Sequence, residues 1–73
     1  MKIYLFTTST CSKCLAVEEL LNNNDVDYTE FIIDEDDYSR DMAAKYNIMS
    51  VPIVIKVFDD GTFRQLSAFD LKK

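Results

Sequence analysis

Two cysteines three residues apart, Cys11 and Cys14, sit where an apolar run ends and a helical spacing begins. No other feature restricts the chain more. Ahead of them Met1 to Phe6, mixed aliphatic and aromatic, reads as a buried strand. Thr7-Thr8-Ser9-Thr10 is a hydroxyl-rich break and a natural place for a helix N-cap. Beyond it Leu15, Val17, Leu20 and Leu21 recur at helical spacing, with Glu18 and Glu19 expected to face outward. The Asn22-Asn23-Asn24 tract should stop that helix. Cys11 therefore stands at a strand-to-helix junction, where free backbone N–H groups and the helix dipole stabilise a thiolate. Lys13 adds a nearby positive charge. Cys14, three residues along, shares its face of the first turn. The expected chemistry is asymmetric: an exposed Cys11 attacks a disulfide, and a more buried Cys14 resolves the mixed disulfide.

Other uses of the pair are weaker. As a staple it would close a loop of four residues, removing roughly 2 kcal/mol of unfolded-state entropy, well below the yield of a long loop. Secreted disulfide scaffolds carry four or more cysteines. A structural zinc needs four ligands, and the chain has no histidine and only these two cysteines. Redox chemistry is the main reading, with no metal site assigned and no bound cofactor beyond a redox-active Cys11–Cys14 disulfide. Two alternatives stay open: a non-catalytic binding module, and a homodimer bridged by zinc or a small iron-sulfur cluster.

The rest of the chain supplies the frame. Val26 to Ile33 alternates and reads as a second strand. Asp34-Glu35-Asp36-Asp37 reads as a solvated helix start, since acids suit the first turn and the glycine and ligand spacing of an EF-hand are absent. Met42, Ala43 and Tyr46 give that helix its apolar face, and it should end near Asn47. After Pro52, the lone proline, Ile53 to Phe58 is rich in β-branched residues and reads as a central strand. Asp59-Asp60-Gly61 places the lone glycine in a hairpin turn, and Thr62 to Gln65 returns as its partner. Leu66 to Lys73 could add one or two helical turns. Phe6, Tyr28, Phe31, Phe58 and Phe63 are expected in the core, with Tyr38 and Tyr46 in the core or at its rim. The order β-α-β-α-β-β implies an α/β domain spanning 1–73, with a right-handed first crossover and a closing antiparallel hairpin. One mixed four-stranded sheet with helices on both faces satisfies this.

Charge narrows the partners. Eight Lys and Arg against thirteen Asp and Glu give −5, unlike a nucleic-acid binder, and an anionic membrane would repel the chain. No apolar run approaches the ~20 residues of a membrane span. The apolar start turns polar at Thr7, short of a signal peptide, so a cytoplasmic location is the expectation; a monomer is expected as well.

Thr7 to Cys14, joined to Ser50-Val51-Pro52 ahead of a hydrophobic strand, resembles the glutaredoxin family of the thioredoxin superfamily. The small size is similar to the viral and bacterial redoxins that include electron donors to ribonucleotide reductase. The resemblance, from Met1 to about Asp70, implies a thioredoxin fold and dithiol–disulfide exchange with a disulfide-bearing protein. It implies a cis bond between Val51 and Pro52 facing the cysteines, with the Val51 backbone pairing to substrate or glutathione. It also implies substrate contacts from Thr10, Ser12, Lys13 and Asp70. Two places depart from the family pattern. Thr8 stands where a lysine commonly binds a glutathione carboxylate, and Ser67-Ala68 stand where a Gly-Gly pair is usual. Electrons would come from glutathione or from a dedicated reductase. The Tyr46 to Pro52 segment and the Asp59-Asp60-Gly61 turn look as much like thioredoxin, but Thr10 replaces its tryptophan and Leu5 its buried acid.

Overall fold

The computed structural model describes residues 1–66 and contains β1 (Lys2–Thr7), α1 (Ser12–Asn23), β2 (Thr29–Ile32), α2 (Asp37–Lys45), β3 (Ile53–Val57) and β4 (Phe63–Leu66). The sheet order is β2-β1-β3-β4. β1 pairs parallel with β2, and antiparallel with β3, which pairs antiparallel with β4. The expected mixed sheet is present. The helical turns expected after the last strand, with Ser67, Ala68 and Asp70, fall on residues outside those described.

Alternation along the central strands divides the core in two. Phe6, Phe31 and Ile55 pack with Ala43 and Tyr46 of α2 and its C-cap. Leu5 and Val54 pack with Leu21 of α1 on the other face. Phe6 stacks on Phe31 at 5.3 Å, and Tyr4 meets Phe31 edge-on at 5.1 Å, separations at which aromatic pairs attract.

Both helices stop by the same device. Asp25 and Asn47 take left-handed backbone, φ 54° and 56°, a conformation short polar side chains tolerate. The next residue donates back into the helix, Val26 N–H to Leu21 O and Ile48 N–H to Ala43 O, at 3.0 and 2.8 Å. Val26 and Ile48 then pack against the two core clusters. The left-handed residue after α1 is thus Asp25, not an asparagine of the tract before it. Gly61 has φ 90°, the positive value its turn requires.

Several boundaries and burials differ from the sequence reading. β2 begins at Thr29, not Val26, because its ladder with β1 starts at Tyr4↔Thr29 and residues 26–28 are spent leaving α1. β3 stops at Val57, because Phe58 N–H closes the hairpin onto Thr62 O at 2.8 Å. Correspondingly β4 runs from Phe63 to Leu66 rather than Thr62 to Gln65. Phe58 and Phe63 are exposed rather than core, beside or on an edge strand. Tyr38, in the first turn of α2, is also exposed. Leu15 lies on the outer side of α1.

Glu18 does not turn fully outward. Its carboxyl hydrogen-bonds that of Glu30 on β2, and this bond first, then burial and repulsion, holds its pKa above the ordinary carboxylate value. Glu30 in turn accepts from the buried Thr7 hydroxyl at 2.8 Å. The acidic run is divided by task. Asp36 caps α2, accepting Ser39 N–H at 2.6 Å, while Asp37 sits in the first turn.

Asp36→Ala should cost about 1 kcal/mol, lowering Tm by roughly 4–8 °C in thermal melts. A raised folded pKa contributes stability that is present below the unfolded value and fades as pH rises through the folded one. Glu18→Gln should therefore flatten the dependence of Tm on pH just above 4.5, Glu18's ordinary value, without lowering Tm at neutral pH. A drop at pH 7 would mean the Glu18 charge is stabilising.

Candidate redox site

The carboxyl end of β1 delivers the chain to a turn, Thr8 to Cys11, closed by Cys11 N–H on Thr8 O at 3.3 Å. The N-cap of α1 is not one of the hydroxyl residues but Cys11 itself, whose Sγ accepts Cys14 N–H at 3.2 Å. Sulfur occupies the place a serine or aspartate oxygen would take. A thiolate at Cys11 is thus met by a backbone donor and by the positive end of a helix of 12 residues. Cys11 and Cys14 are joined as a disulfide, their Cα atoms 5.4 Å apart. Cys11 is half-buried, whereas Cys14 is 3% exposed. An incoming group reaches Cys11 first.

Thr10, Ser12 and Lys13 are all exposed around the pair, open to a partner. Val51 and Pro52 are half-buried and their peptide bond is cis. Val51 shares a cleft of about 250 Å³ with Thr8, Ile33, Ile48, Met49 and Ser50. That cleft places the Val51 segment beside the segment entering the cysteine turn. Its side chains are apolar apart from Thr8 and Ser50, and Met49 is 92% exposed at its rim. Ile33, Ile48 and Met49 were not singled out from sequence. Their closeness in sequence to Val51 and to the end of β2 was the only available signal. Asp70 lies outside the described residues.

A second feature also escaped the sequence reading. Asp34, just past β2, accepts both the backbone N–H of Ser9 at 2.9 Å and its hydroxyl at 2.6 Å. These two bonds hold the Asp34 carboxyl below its ordinary pKa, the hydroxyl contributing more. A larger cleft of about 420 Å³, lined by Lys2, Tyr4, Tyr28 and Tyr38 among others, lies toward the opposite end of β1 and contains no cysteine. Size alone would have pointed to the wrong end of the sheet. Among the described residues no helix is long and apolar enough to cross a membrane.

Known proteins agree with this geometry. No curated protein matches the chain significantly. Among solved structures, the thioredoxin-like protein BC3987 is 34% identical with a TM-score of 0.68, covering 86% of this chain and 84% of its own. Thioredoxin 1 from Thermosipho africanus TCF52B, at 24% identity and a TM-score of 0.68, covers 92% of this chain and 76% of its own, and shares the fold. The model of the glutaredoxin family matches residues 3–62. With that match spanning most of the chain and a close cysteine pair at the head of α1, the protein belongs to the glutaredoxin family.

Proposed function

We propose that the protein is a dithiol–disulfide oxidoreductase that reduces disulfides in other proteins. The observation that carries this reading is the placement of Cys11 as N-cap of α1, with Cys14 N–H on its sulfur and Cys14 itself buried. In the reduced protein the Cys11 thiolate attacks one sulfur of a substrate disulfide. A mixed disulfide forms and the other substrate sulfur leaves as a thiolate, taking a proton from solvent. Cys14, after losing its proton, attacks Cys11 Sγ. The Cys11–Cys14 disulfide closes and the second substrate sulfur departs. Two electrons pass to the substrate, and an external dithiol or two glutathione molecules must return them. The disulfide of a ribonucleotide reductase is one such substrate.

Glutathione fits this site poorly. Thr8, in the cleft beside Val51, supplies no positive charge for its carboxylates, and the chain's net charge is −5. A reductase of the thioredoxin reductase type is the better electron source.

Disulfide reduction should be measured with NADPH and thioredoxin reductase, beside glutathione and its reductase. Wild type should turn over faster with the former. Cys11→Ser should fall to background, and Cys14→Ser should accumulate a mixed disulfide visible as added mass. A Cys11→Ser protein that still reduces disulfides would refute the mechanism. Thr8→Lys should raise the glutathione rate by up to about fivefold, the scale of a partly exposed ion pair.

A further inference from the structure

We infer that Asp34 is the positioning residue of the nucleophile: its carboxylate fastens the turn that presents Cys11, and so holds Cys11 Sγ over the Cys14 N–H. This rests on the dithiol reading above. Asp34 belongs to neither the cysteine pair nor the Val51–Pro52 element.

Ile33 N–H donates to Thr7 O at 2.9 Å, carrying the contact between β2 and β1 up to the edge of the turn. Asp34 then takes both donors of Ser9, backbone and hydroxyl, at 2.9 and 2.6 Å. Two bonds from one residue to one carboxylate fix orientation as well as distance, and bonds to an ionised acceptor are the stronger kind. Ser9 is the second residue of the turn whose last member, Cys11, closes on Thr8 O. Holding Ser9 thus holds the turn, and the turn sets where Cys11 Sγ sits. The lowered Asp34 pKa agrees, since the carboxylate is the form that accepts both bonds.

The effect should depend on redox state. In the oxidised protein the Cys11–Cys14 bond itself fixes the Cys11 side chain. Once that bond is cut, placement of the thiolate falls to the turn and to the Cys14 N–H. A group needed only for folding would act equally in both states.

The test is the rate of Cys11 alkylation by iodoacetamide against pH in the reduced protein, read by mass mapping, with melting of the oxidised protein as the control for folding. Asp34→Ala should slow alkylation near neutral pH by about tenfold and raise the Cys11 pKa, as expected when a preorganised donor loses its alignment. Asp34→Asn, whose amide oxygen still accepts the Ser9 N–H, should recover to within about twofold of wild type. Ser9→Ala, losing one of the two bonds, should fall between them. Asp34→Ala alkylating at the wild-type rate would overturn the inference. So would Asp34→Asn as slow as Asp34→Ala, since an acceptor restored to the Ser9 N–H would then have restored nothing. If Asp34→Ala fails to fold, Asp34→Asn and Ser9→Ala still decide it, and equal rates in Ser9→Ala and wild type would count against it. Should wild-type Cys11 titrate near the free value of ~8.5 and react no faster than Cys14, the dithiol mechanism fails instead.

Discussion

Everything in this fold hangs on a pair of adjacent residues in β1. Leu5 and Phe6 are both fully buried, and because side chains alternate along a strand they enter opposite halves of the core. Fully burying each such side chain is worth about 1.5–3 kcal/mol. A strand apolar on both faces needs a packing layer on each side of its sheet. β1 has β2 on one side and β3 on the other, and among the described residues one helix accordingly packs on each face.

The site follows from the directions of those neighbours. β2 runs parallel to β1, so its carboxyl end, leading to Asp34, arrives beside the carboxyl end of β1, which leads to the cysteine turn. β3 runs antiparallel, so its beginning, just after Pro52, arrives at the same end, with Phe6 opposite Ile53. Three connections with no local relation in sequence converge at one edge. No single segment encodes that meeting.

Legibility in the sequence followed from how local each feature was. The strand and helix order, the lone glycine's positive φ and the junction at Cys11 are written in neighbouring residues, and the structure has them. The Asp34–Ser9 link spans 25 positions and the Glu30–Thr7 bond spans 23. Each depends on strand register, which periodicity does not supply. Edge position was equally hidden: Phe63 has the residue type of a core strand, yet β4 has only one neighbour in the described sheet. Asp36 was legible as part of a helix start, but the separate duties of Asp34 and Asp36 were not, because four consecutive acids look alike until each finds a donor.

The short spacing of the cysteine pair has a thermodynamic corollary. Folding and disulfide formation close a cycle of four states: folded or unfolded, oxidised or reduced. Whatever the fold contributes to the thiolate of Cys11 through the Cys14 N–H and the helix start must reappear as a difference in folding free energy between the two redox forms. The four-residue loop enters the same difference with the opposite sign, since cross-linking the unfolded chain favours the oxidised fold by roughly 2 kcal/mol. Stabilising the thiolate favours the reduced fold and closing the loop favours the oxidised one, so the short spacing sets these two contributions against each other.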